Sequence, residues 1–276
     1  MLSSILRFAR GKPGVRAVAG LGVLTAALVV ALGSAPGVSS AGDTGNWGGT
    51  IDPDALQILK GMTDYVGGLQ QFNLHTENTY EDVLATGQKV MFGFSTDIVI
   101  QRPNKIRAER VEGTAHELLI YDGAKLFMRE AKGEFFAVVD VPDNIDDFLH
   151  FARDELDLVP PAGDMVFSNA FELLTAGMTS GFVVGEEYVG GIRCHHLAFT
   201  TPVVDWQVWI ADGDKPFPVR YVLTTRDDPA QPQFVTAISN WNSKPKIDGR
   251  TFEFTPPATA TEIDFLRVGA GGGSAE

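Results

Sequence analysis

The sequence predicts a mainly β fold with helices (α+β), built on an antiparallel sheet of about eleven strands. Apolar residues recur at every second position from Phe72 to Val141, and strand-like runs resume between positions 180 and 242. Short turn signals punctuate the first region, at Thr86-Gly87, Pro103-Asn104, Glu112-Gly113, Asp122-Gly123 and Lys132-Gly133. Strands joined by turns this short pair antiparallel, because parallel neighbours need long crossovers. Helical spacing occurs once before the first region and twice between the two regions.

The first 41 residues are expected to lie outside the fold. Arg7, Arg10, Lys12 and Arg16 supply a positive stretch, and Ala17 to Leu32 an apolar one. Ser39-Ser40-Ala41 then offers the small residues that a signal peptidase reads. Read as an uncleaved anchor, Ala17 to Ala35 is nearly long enough to span a membrane. Three glycines and the small-residue exit favour cleavage, so 1–41 is read as a signal peptide and the protein as exported without a permanent membrane anchor. Cleavage takes the net charge from −13 to −17, with 18 Lys+Arg against 35 Asp+Glu. Such a surface repels nucleic acid and anionic head groups, so no nucleic-acid partner is expected. The lone Cys194 leaves no cysteine for lipid attachment at the cleavage site and none for an internal disulfide.

Along the mature chain, 42–50 reads as a flexible glycine-rich lead-in. Asp52-Pro53 then starts a helix, with Asp as cap and Pro at the first helical position, which Gly67-Gly68 ends. Strands are expected near 72–84, 89–101, 105–112, 116–121, 125–130 and 134–140. Asn144 to Asp157 reads as an amphipathic helix, broken by Val159-Pro160-Pro161. A second helix is expected from Asp164 through Leu174, apolar on almost every face and therefore needing cover on most of them. Strands resume near 180–189, 192–200, 204–211, 218–227 and 233–242. Thr251 to Pro257 is a short segment with Phe252 and Phe254 on one face, and the Gly-rich end over 269–276 reads as disordered. A single domain over 51–268 is the simpler organisation.

Large side chains gather where a pocket would need them. Phe92, Phe94, Ile98 and Ile100 share a face of the second strand, and Leu119 and Tyr121 a face of the fourth. Phe127 and Phe136 add rings whose faces the period does not fix. Phe148 and Leu149 stand on the first inter-region helix, Phe167 and Phe171 on the second. A sheet this large can curl and enclose helices or a cavity. These twelve residues are expected to line a hydrophobic pocket under a helical lid, although they would also suit an ordinary core.

This arrangement resembles the periplasmic outer-membrane lipoprotein carrier and receptor (LolA/LolB-like) superfamily. The likeness lies in Arg102-Pro103-Asn104, in the Asp122-Gly123 hairpin leading to Leu126-Phe127, and in Phe252-Glu253-Phe254-Thr255-Pro256-Pro257. It implies a half-open β-barrel with a helical lid, a periplasmic location and acyl chains as cargo. It also implies that Arg102 latches the empty lid by hydrogen-bonding its backbone carbonyls, a role that suits a guanidinium with five donors. Alternatively, Arg102 caps a strand end or pairs with a surface carboxylate. Asp205-Trp206-Gln207-Val208-Trp209-Ile210 and Pro216-Phe217-Pro218-Val219-Arg220 look more like a family of predicted periplasmic proteins of unknown function with the same fold.

Motifs for chemistry are sparse. Within Arg193-Cys194-His195-His196, the two histidines of a strand would point to opposite faces, leaving Cys194 and His196 together. That pair is too little for a metal site, and a buried thiol beside a hydrogen-bonded histidine is the expected reading. No phosphate loop, nucleophile elbow or zinc-protease helix occurs. The sequence therefore points to a monomeric, non-enzymatic carrier or binding protein for a hydrophobic ligand, with no cofactor or metal. The alternative is a periplasmic sensor or protein-interaction module using the same groove for an envelope protein or regulator. Whether Trp206 and Trp209 face the pocket or the outside stays open.

Overall fold

The computed structural model describes residues 49–130, 132–158 and 162–265. The expected signal peptide, nearly all of the lead-in, the Val159-Pro160-Pro161 break and the expected tail lie outside the described residues.

Among the described residues twelve strands form one open sheet. They are β1 (Gln71–Val83), β2 (Lys89–Gln101), β3 (Lys105–Glu112), β4 (Ala115–Tyr121), β5 (Lys125–Arg129) and β6 (Phe135–Asp140), then β7 (Ser180–Val189), β8 (Ile192–Thr200), β9 (Val204–Ala211), β10 (Pro218–Thr225), β11 (Gln233–Asn242) and β12 (Thr261–Glu262). The spatial order is β12-β6-β5-β4-β3-β2-β1-β11-β10-β9-β8-β7. Two antiparallel meanders are thus joined where β1 pairs with β11, with Thr76 opposite Ile238. The two-residue β12, parallel to β6, is an addition to the expected strands, too short and exposed to carry a period.

Among the described residues three α-helices lie on one face: α1 (Pro53–Gly68), α2 (Ile145–Leu156) and α3 (Ala170–Thr175). In α1, Asp52 accepts a hydrogen bond from the Asp54 amide at 2.9 Å, and Ala55, Leu59, Met62 and Val66 face the sheet. In α2, the Asn144 side chain accepts from the Asp147 amide at 2.9 Å. Ile145, Phe148, Leu149, Ala152 and Leu156 form its buried stripe.

The second lid helix differs from expectation. Residues 163–165 make one 3₁₀ turn, 166–169 form turns, and regular α-helix begins only at Ala170. Bonds to other parts of the protein compete with a continuous helix. The Val166 carbonyl accepts from Arg102, and the Ser168 amide donates to Asp146 at 3.0 Å. Ser168 and Asn169 are also residues whose side chains favour turns and caps over helix interiors.

Strand register defines the helix-covered, inner face. One row crosses six strands as Phe72, Ile100, Ile106, Tyr121, Leu126 and Val139, each opposite the next. It packs under α2 in a cluster with Phe148, Leu149 and Phe167. A second cluster, under α1 and α3, gathers Leu197, Phe199, Val204, Trp206, Val208, Tyr221 and Leu223 around Leu59, Met62 and Leu174. Trp206 therefore faces inward. Trp209 packs with Cys194, Ala211 and Val222 in a separate small cluster.

Candidate functional site

The site is built at the corner between β2 and β3. Arg102 follows β2, and its amide donates to the Gln70 carbonyl at 2.8 Å, which fixes the corner beside the start of β1. The Pro103 carbonyl accepts from the Ile145 amide, the first residue of α2, at 3.0 Å. The Asn104 side chain lies against Gly123, so closely that a Cβ there would collide with it. Asp122 closes that hairpin by accepting from the Ala124 and Lys125 amides at 2.9 Å each. The Arg-Pro-Asn and Asp-Gly motifs, 20 residues apart in sequence, thus form one structural joint.

From this joint Arg102 reaches the lid. Its Nη2 donates to the Val166 carbonyl at 2.7 Å. The guanidinium is half-buried; desolvation lowers its pKa, and the nearby Asp146 carboxylate opposes that. Asp146, on the first turn of α2, accepts from both the amide and the hydroxyl of Ser168. Arg102 and Asp146 therefore tie the 163–169 segment to the sheet corner and to α2. Sequence reading missed Asp146 and Ser168, because nothing local pairs residues 22 apart.

The expected lining residues divide into groups. Ile98, Ile100, Leu119, Tyr121, Phe148, Leu149 and Phe167 meet in the cluster under α2. There Tyr121 stacks on Phe148 with ring centroids 4.1 Å apart and donates its hydroxyl to the Pro142 carbonyl at 2.8 Å. Burial drives the Tyr121 pKa well above the usual phenol value. Phe94 and Phe171 join the other cluster. Phe92 stands at the rim, 38% exposed, against Tyr80.

Phe127 and Phe136 are corrections to the expected pocket lining. Register places Phe127 opposite Ile120, one residue out of phase with the inner row through Tyr121 and Leu126. Both rings instead meet Phe254, at 5.2 and 5.7 Å between centroids, on the outer face. The segment around Phe252 and Phe254 covers that face. A cavity of about 510 Å³ opens there, lined in part by Lys105, Asp122, Phe127 and Glu253. On the inner face, lid side chains such as Phe148, Leu149 and Leu174 pack against the strand residues.

The Cys194 region is also placed. Cys194 and His196 occupy one face of β8, and the Cys194 side chain is fully buried. His196 lies 2.9 Å from Gln207 Oε1 and 3.0 Å from Glu187, with its ring 3.9 Å from that of Trp209. Among the described residues no group of three or more His, Cys, Asp or Glu is placed to hold a metal ion. No described helix is long and apolar enough to cross a membrane.

A family model of predicted periplasmic proteins matches residues 55–266, which takes in all twelve strands and nearly all of α1. The chain belongs to the DUF2092 family. Membership agrees with the likeness read from Asp205–Ile210 and Pro216–Arg220, and the DUF2092 family is described as periplasmic. No curated protein matches the chain. Among solved structures, this DUF2092 protein is similar to LprF from Mycobacterium bovis, with 15% identity, 77% of this chain and 100% of that one covered, and a TM-score of 0.44. It is also similar to the Mycobacterium tuberculosis lipoprotein LppX (16% identity, 71% and 100% covered, TM-score 0.39). A LolA superfamily protein from Nitrosomonas europaea gives 10% identity, 72% and 97% covered, and a TM-score of 0.37.

Proposed function

We propose that this DUF2092 protein is a soluble periplasmic carrier or binding protein for a hydrophobic ligand, held as acyl chains between the inner face and the lid. The observation that supports this most is the pairing of a continuous apolar row with a tethered cover. Phe72, Ile100, Ile106, Tyr121, Leu126 and Val139 form a greasy strip across six strands. Its cover includes a lid segment tied by the polar contacts of Arg102 and Asp146. Opening such a lid exchanges those contacts for buried ligand surface. Each methylene taken from water contributes about 0.8 kcal/mol, so a few carbons offset the loss of the latch. Arg102 holds the empty protein shut, and cargo displaces the lid side chains that pack against the inner face.

The test is uptake. Delipidated protein is titrated with a neutral fluorescent acyl lipid, and saturable binding with a blue-shifted signal is expected. Absence of uptake, together with capture of a specific envelope protein by the same surface, would replace this reading with that of a sensor.

A further inference from the structure

The inner face is divided by a buried polar seam. Along β1, Phe72 and Leu74 belong to the cluster under α2, Tyr80 packs on the other, and Thr76 and Asn78 lie between them. Along β11, Phe234 and Ile238 fall to the two sides of Thr236. Register sets Thr236 opposite both Asn78 and Tyr221, so the seam runs across β1, β11 and β10. Its members are at most 4% exposed. Part of it is internally satisfied: Thr236 donates to Asn78 Oδ1 at 2.9 Å, and Asn78 Nδ2 donates to Thr76 Oγ1 at 2.9 Å.

The rest is not. The Tyr221 hydroxyl and the indole N–H of Trp206, each on a side chain 1% exposed, have no hydrogen-bond partner among the described residues. Their rings stand edge to face at 6.0 Å. Asp164, in the 3₁₀ turn of the lid and 9% exposed, interacts electrostatically with Tyr221 and has one carboxyl oxygen equally without a partner. A buried polar group left unpaired costs about 1–3 kcal/mol, so the two orphaned donors, on Trp206 and Tyr221, ask for a polar partner there.

An indole N–H only donates, and the phenol completes a pair of donors, so the partner must present acceptor oxygen. A carboxylate or phosphate is a poor fit, because it would lie beside Asp164. Among the described residues, the basic groups that interact with Asp164, Arg153 and His150, are engaged with each other, and Arg153 also with Asp154. We propose that this seam recognises the ester carbonyl of an uncharged acyl lipid, whose chains lie in the apolar clusters on either side. The proposal rests on the carrier reading and assigns its ligand a chemical class.

Ester carbonyls of this kind occur in free neutral lipids and in the diacylglyceryl group of a lipoprotein. The delipidated protein is therefore titrated with a diacylglycerol, a dialkylglycerol ether of equal chain length, and a diacylglyceryl-cysteine peptide. Wild type should bind the tighter of the two esters about five- to tenfold more tightly than the ether, as one hydrogen bond contributes, and that ester names the source. Tyr221→Phe should lower the preference to what the Trp206 indole N–H alone supplies, while keeping ether affinity and a cooperative melt. Thr236→Val, elsewhere in the seam, should reduce it. Equal binding of esters and ether by wild type overturns the seam proposal and leaves the carrier reading intact. Binding of none overturns both.

Discussion

Arg102 Nη2 lies 2.7 Å from the Val166 carbonyl oxygen, a bond between residues 64 apart that joins the β2–β3 corner to the lid. A hydrogen bond from a charged donor contributes about 1.5–3 kcal/mol. Arg102→Leu should therefore speed amide exchange over residues 163–175 by about 10- to 100-fold while leaving exchange in β8–β10 unchanged. Unchanged lid exchange would mean that Arg102 is only a strand-end charge.

The joint beneath Arg102 is equally specific. Gly123 has φ +100°, a conformation unfavourable for other residues, and the Asn104 side chain occupies the space a Cβ would need. Gly123→Ala should cost about 1–3 kcal/mol in chemical denaturation. Gly67→Ala, with nothing within 4 Å of its Cβ position, should cost nothing comparable.

On the carrier reading, facing should decide which phenylalanines matter to lipid binding. Phe148 is buried on Tyr121 under α2, so Phe148→Ala should cost about 3–5 kcal/mol and weaken acyl-lipid binding. Phe127 stacks on Phe254 on the outer face, so Phe127→Ala should lower stability less and leave lipid affinity unchanged. Titration of both variants with the neutral acyl lipid checks the difference.

Asp164 gives the lid a pH dependence. Burial raises its pKa above the usual value of 3.8, while Arg153 and His150 pull it down. A carboxyl whose folded pKa is raised binds its proton more tightly in the folded state. Its contribution is fully present below the unfolded pKa and is lost as pH rises through the folded one. Asp164→Asn should thus be more stable than wild type at pH 7, by about 1–2 kcal/mol. The gap should narrow as wild type is acidified through the folded pKa. Thermal melts of the two proteins across pH 4–8 measure it.

Much of the fold was legible because strands, turns and caps are local. The alternation through Phe94, Ile98 and Ile100 and the Asp122-Gly123 turn required no distant partner. Asp52-Pro53 and Asn144 marked their helix starts for the same reason. What escaped was set by distant contacts. The expected second lid helix breaks because Arg102 and Asp146 take its backbone groups. Phe127 and Phe136 were unassignable until register placed Leu126, not Phe127, opposite Tyr121. Trp206 could be oriented only once β9 was paired with β8 and β10, which set its indole among Phe199, Tyr221 and Leu223. The polar seam is invisible in sequence, since Asn78 and Thr236 are 158 residues apart.

The central claim is that the lidded inner face holds lipid, and what the protein carries when purified from its own envelope tests it most directly. Mass spectrometry of an organic extract of the native protein should show acyl lipid in near-stoichiometric amount, depleted in Phe148→Ala and retained in Phe127→Ala. An extract free of lipid, from protein that also takes up none when offered it, would contradict the account.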